Sequence, residues 1–89
     1  MKHFEWDENK REINLKKHGI DFVDAIKVFS DRDRIEREST RNGENRHQII
    51  GTIDDLVILL VYIHRDTKKR IISARRASRK EREVYYSLR

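Results

Sequence analysis

Apolar and polar positions alternate over Phe4-Glu5-Trp6, the two-residue period of a strand, and then the pattern changes. Asp7 is a helix-capping residue type, Glu8 follows it in the first turn, and Gly19 supplies a left-handed stop. A helix is therefore expected from Glu8 to about His18. Its apolar content is thin, essentially Ile13 and Leu15, which predicts a surface helix with one edge pinned. Asp21 offers a second N-cap. Phe22, Ala25, Ile26 and Phe29 then fall at i, i+3, i+4 and i+7, the stripe of an amphipathic helix.

From Asp31 to Glu38 charge alternates around Ile35, predicting an edge strand, and the polar stretch from Ser39 to Asn45, with Gly43, reads as a loop. His47, Ile49, Gly51 and Ile53 share one face of a second strand, with Gln48, Ile50 and Thr52 on the other. Asp54-Asp55 makes a two-residue turn. Leu56 to Ile63 is an unbroken apolar run, the mark of a central strand covered on both faces. After a polar turn around Asp66-Thr67-Lys68, the segment Arg70-Ile71-Ile72-Ser73-Ala74 forms the next strand. Ser78 and Glu81 have capping-box spacing and open a last helix that buries Ala77, Val84, Tyr85 and Leu88, with Tyr86 on the surface. The expected fold class is α+β, a mostly antiparallel sheet packed by two N-terminal helices and one C-terminal helix. Residues 1–89 read as a single domain without repeat or linker.

Composition narrows what such a fold can do. Hydrophobic residues are 36% and charged residues 42%, so the core is small for the chain. The formal charge is +5 and the isoelectric point is near 9.7. Basic residues thicken toward the C-terminus, which favours a polyanionic partner. With no cysteine, disulfides and thiolate metal sites are excluded. The longest apolar run is far short of the roughly 20 residues that span a membrane. The first residues lack an apolar stretch of signal-peptide length, so cytoplasmic residence is expected. The three glycines are isolated, leaving no phosphate-cradling loop. His3, His18, His47 and His64 lack metal-ligand spacing, and no serine sits in a nucleophile motif. Neither a metal nor a cofactor is expected.

What remains is basic groups at the ends of elements. Lys16-Lys17-His18 occupies the last turn of the first helix, where the dipole favours cations, although plain C-capping explains it equally well. His64-Arg65 lies at the exit of the central strand, and Arg75-Arg76 where the following strand meets the last helix. Antiparallel pairing puts Arg65 at one end and Arg75-Arg76 toward the other. Trp6 can stack on a base, though an indole in this position is more often core.

Taken together, Phe4-Glu5-Trp6-Asp7, Asn14-Leu15-Lys16-Lys17-His18-Gly19, Phe22 to Phe29 with Asp31, Glu44-Asn45-Arg46 with Ile50-Gly51, and the run from Arg70 to Arg82 resemble the BrnT toxin family. The resemblance covers almost the whole chain in order. It implies a fold similar to RelE-type toxins, an endoribonuclease activity that halts translation, and a small BrnA-like antitoxin with a ribbon-helix-helix part. DNA would be met only through that antitoxin. It also implies a site of Lys17, His18, Arg65, Arg75 and Arg76, with Trp6 and Arg79 as RNA contacts. In such a site the arginines neutralise the phosphorane, His18 serves as acid or base, and Lys17 holds the phosphate or polarises the hydroxyl. A non-catalytic nucleic-acid-binding module, or a protein that only binds an acidic partner, is the alternative that charge alone permits.

Overall fold

The Asp7 carboxylate accepts from the amides of Asn9 and Lys10 at 2.8 and 3.3 Å, so the first helix starts where its capping residue stands. In the computed structural model, which describes residues 3–87, a short strand β1 (Phe4–Glu5) precedes α1 (Glu8–His18), and α1 ends on Gly19 at φ 72°. Ile13 and Leu15 do not pin this helix, being 55% and 42% exposed. The pin is Asn14, only 7% exposed. Its Nδ2 donates to the carbonyls of Ile20 and Ala74 at 3.0 and 2.8 Å, and its Oδ1 accepts from the Ala74 amide at 3.1 Å. A side-chain amide thus serves Ala74 as a neighbouring strand would, pairing both of its main-chain groups.

Asp21 caps α2 (Phe22–Ala25) through the Val23 amide and also holds Arg11 of α1 by two bonds, 2.7 and 3.0 Å. The helix expected through Phe29 keeps α geometry only this far and continues as a 3-10 helix, Ile26–Ser30. Three residues per turn align Phe22, Ala25 and Val28, all fully buried. The cause is tertiary. Val28 seats against Gly51, where a Cβ would lie 2.6 Å from the Val28 Cγ2.

The remaining strands are β2 (Ile35–Arg41), β3 (Glu44–Ile53), β4 (Leu56–Arg65) and β5 (Lys68–Arg76), and the sheet order is β1-β5-β4-β3-β2. All pairs are antiparallel except β1 with β5. The loop expected over Ser39 to Asn45 is strand instead: Ser39 pairs Arg46 and Thr40 pairs Asn45. Only Asn42 and Gly43 turn, at φ 51° and 78°, the two left-handed residues of a tight hairpin. The polarity that suggested a loop reflects a hairpin end wetted on both faces.

Alternation divides the sheet cleanly. On the first face Ile49, Ile58, Leu60, Tyr62, Ile71 and Ala74 pack beneath α2 and the 3-10 helix, with Phe4, Trp6 and Phe29 at the margin. On the second, Ile50, Val57 and Leu59 pack with Ala77 and Tyr85, and Ile35 and Val61 border them. Along β5 the pairing steps from Tyr62–Ile71 to Val61–Ser73, so Ile72 is an extra residue, a β-bulge. Ile71 and Ala74, three apart, thereby both reach the first core.

The last helix, α3 (Arg79–Ser87), opens with the expected capping box: the Glu81 amide donates to Ser78 Oγ at 3.1 Å and the Ser78 amide to Glu81 Oε1 at 2.8 Å. Tyr85 is buried and Tyr86 exposed, as expected, whereas Val84, expected to be buried, is only half-buried; Leu88 lies outside the described residues. Tyr85 donates its hydroxyl to Asp31 Oδ2 at 2.6 Å, and that oxygen also accepts from the Thr52 amide and hydroxyl. Among the described residues no helix is long and apolar enough to cross a membrane.

Candidate functional site: a basic sheet face

Side-chain parity places cations from four strands on the second face. Arg37 of β2 lies opposite Gln48, and Arg46 precedes Gln48 by two residues on β3. Arg65 continues the row of Leu59 and Val61 on β4. On β5, Arg75 pairs Leu59, Arg70 pairs Ile63 and Lys68 pairs Arg65. Because α3 covers only the end near Leu59 and Ile50, the rest of this face is open. From Leu59, beside Arg75, to Arg65 is roughly 20 Å along the strand, enough for several nucleotides of single-stranded RNA.

Most of these guanidinium groups are held by a neighbour. Arg70 pairs with Glu5 at 2.9 Å, Arg46 with Glu44 at 3.0 Å, and Arg37 donates to Gln48 at 2.7 Å. Arg75 grips Glu81 through both terminal nitrogens, at 2.9 and 3.0 Å, and that fork is the main reason the Glu81 carboxyl is pulled below its ordinary range; partial burial opposes the shift. Arg65 and Lys68 make no hydrogen bond or ion pair among the described residues.

The expected site residues divide into groups. Lys17 and His18, on the last turn of α1, line a cleft of about 200 Å³ with Lys10, Ile13, Asn14, Ile72 and Ser73. Ser73 stands two residues before Arg75 on the same face, so this cleft flanks the basic face at β5. Arg76 pairs Ile58 and points with opposite parity, exposed at the strand end; adjacent in sequence, it and Arg75 do not share a face. Arg65 shares the face of Arg75 but sits at its other end. Arg79 is exposed on α3 and paired with Glu83 at 3.3 Å. Trp6 is half-buried at the margin of the first core, edge-to-face with Phe22 at 6.0 Å, its Nε1 donating to Glu8 at 3.0 Å.

The sequence reading missed Arg37, Arg46 and Arg70 as members of one surface. Arg46 was legible, since it shares the parity of Gln48, Ile50 and Thr52; Arg37 was not, because nothing fixed the register of β2. Strand pairing also brings His47 and His64 together, rings 4.6 Å apart around Tyr62 on the first face. Among the described residues no three His, Asp or Glu side chains stand close enough to share a metal ion.

A sheet shielded by helices on one face and lined with guanidinium groups on the other defines a class, a small basic α+β protein suited to an anionic partner. Within that class its place is settled by a family model, that of the ribonuclease toxin BrnT of type II toxin-antitoxin systems, which matches residues 6–81. The chain belongs to that family. It is thus a ribonuclease toxin of a type II toxin-antitoxin system, a class whose substrate is RNA and whose partner is an antitoxin. No curated protein matches the chain.

Proposed function

We propose that the chain is a metal-independent endoribonuclease that cuts single-stranded RNA on the second face of the sheet, and that a small BrnA-like ribbon-helix-helix antitoxin restrains it in the cytoplasm. The observation that carries this reading is the gathering of Arg37, Arg46, Arg65, Arg70 and Arg75 on one open sheet face, flanked at β5 by the Lys17-His18 cleft.

RNA carries its own nucleophile. A base takes the proton of the 2′-hydroxyl, the O2′–P bond forms, the P–O5′ bond breaks, and an acid protonates the departing O5′. The products are a 2′,3′-cyclic phosphate and a 5′-hydroxyl. Positive charge must meet the extra negative charge of the phosphorane, the work of Arg75, while Arg76, on the opposite side of the strand, is left to the RNA backbone beyond the edge. His18 exchanges the proton, its ring offering one nitrogen that donates and one that accepts, while Lys17 holds the phosphate and Arg65 the backbone at the far end. No step requires a metal-bound water.

Cleavage is expected to persist in excess EDTA and to leave cyclic or 3′-phosphate ends by mass spectrometry. An RNA with hydrogen in place of the 2′-hydroxyl at the cut should bind and resist cleavage. Arg75→Ala should lower kcat by about 10²–10³ with an unchanged circular dichroism spectrum. Activity that magnesium restores after EDTA, with 3′-hydroxyl ends, would refute the mechanism; binding without cleavage would favour a non-catalytic module. Co-expression of the neighbouring reading frame should rescue growth and yield a complex that melts higher than the toxin alone.

A further inference from the structure

Glu81 accounts for only part of its surroundings as a capping residue. The box needs one carboxylate oxygen on the Ser78 amide, yet both oxygens also face the Arg75 fork, and Arg37 Nη2 stands 3.7 Å from Oε2. Arg75 and Arg37 come from β5 and β2, three strand spacings or roughly 14 Å apart across the sheet. They converge over its centre on one anion supplied by α3. Beside that carboxylate opens a cleft of about 260 Å³ lined by Arg37, Ser78, Lys80, Glu81 and Val84. A guanidinium fork that fits a carboxylate at two points fits a phosphodiester in the same way, with the same single charge.

We propose that Arg75 and Arg37 form a binding subsite for one backbone phosphate, and that the Glu81 carboxylate fills it as an internal anion until RNA displaces it. This rests on the reading of the second face as the RNA face. Arg75 is the partner that turns, its side chain being 38% exposed, while Glu81 keeps its bond to Ser78 and α3 keeps its cap. Phosphate entering from the cleft then meets Arg75, Arg37 and Lys80, and Glu81 keeps only its bond to the Ser78 amide. The carboxylate raises the threshold for RNA binding and favours strands that place a phosphate at this point over loosely held polyanions.

Glu81→Gln tests the subsite, because glutamine preserves the capping box but removes the competing charge. With inorganic phosphate as probe, the variant should bind where the wild type does not, and Arg75→Ala added to it should abolish the gain. With RNA lacking the reactive 2′-hydroxyl, E81Q should bind about tenfold more tightly, again only when Arg75 is present. Unchanged phosphate and RNA affinities, or a gain that survives loss of Arg75, would overturn the subsite. If E81Q loses its helix, the wild type decides: the Arg75 side-chain N–H resonances should shift on RNA addition while the α3 amides stay, and fixed Arg75 resonances would overturn it. Arg75-dependent phosphate binding without RNA cleavage on this face would leave the subsite standing and remove the second face as the place of cleavage instead.

Discussion

The two faces of the sheet are held by different forces. The first closes on aliphatic and aromatic side chains beneath the N-terminal helices, with Phe22, Ala25, Val28, Ile49, Ile58 and Leu60 at full burial. The second has a small apolar contact around Tyr85 and Ala77, and much of the attachment of α3 runs through polar bonds: Arg75 to Glu81, Arg82 to the Ala77 carbonyl, and Tyr85 to Asp31. One face therefore supplies most of the burial free energy, which scales with apolar area, and the other keeps its cations available at little cost to the core. In a strand, the parity of a position decides which of these two tasks its side chain takes.

The largest test sets one face against the other. Phe22→Ala should cost about 3–5 kcal/mol, a large share of the stability of a small domain, read by urea unfolding. Arg65→Ala should stay within about 0.5 kcal/mol of wild type while weakening RNA binding. Equal losses of stability from the two would dissolve the division. A middle-sized effect is expected at Asn14, where alanine leaves the Ala74 amide and carbonyl and the Ile20 carbonyl without their partner. The loss should be about 2–3 kcal/mol, with faster hydrogen exchange at the Ala74 amide. If exchange there is unchanged, α1 is not fixed through this side chain.

The smallest test concerns the polar attachment. Burial works against ionisation of Asp31, but the Tyr85 hydroxyl, the Thr52 amide and hydroxyl and the Asp33 amide outweigh it, and the carboxyl stays below its ordinary range. A depressed carboxyl contributes stability that is complete above its unfolded pKa and is lost as pH falls through the folded one. Tyr85→Phe should cost about 1.5 kcal/mol near neutral pH and flatten the loss of stability below pH about 4. A variant whose acid unfolding curve keeps the wild-type slope would show that Asp31 is not held through Tyr85.

Signals carried within a few residues of one another were legible: Asp7 and Asp21 as caps, Gly19 as a stop, the Ser78–Glu81 box, and the opposite faces of Ile49 and Ile50. What was hidden depends on distant segments meeting. Nothing near Val28 announces Gly51, so the shift to 3-10 winding could not be read locally. Asn14 looked like an ordinary polar helix residue because its partners, Ile20 and Ala74, are supplied by the fold. The Asn42-Gly43 hairpin was legible and was obscured by the polarity around it. For the site, the basic residue types were evident, but their grouping was not. Arg75 and Arg76 are neighbours in sequence and belong to opposite sides of a strand, whereas Arg37 and Arg75 are far apart in sequence and meet at Glu81.

The bulge at Ile72 has a consequence for how this chain tolerates changes in length. Elsewhere in β3, β4 or β5, deleting one residue inverts everything beyond it, moving arginines into the core and leucines into water. Ile72 is the exception, since Ile71 and Ser73 already lie on opposite faces and would remain so if joined directly. Arg70, Ser73 and Arg75 would keep their orientation after its loss. Ile72 is therefore spare with respect to register. What it contributes is curvature: an extra residue bends and twists its strand, here beside α1 and the Lys17-His18 cleft. Sequence alignments that place a gap at this point would mark chains with the same two faces and a differently shaped flank.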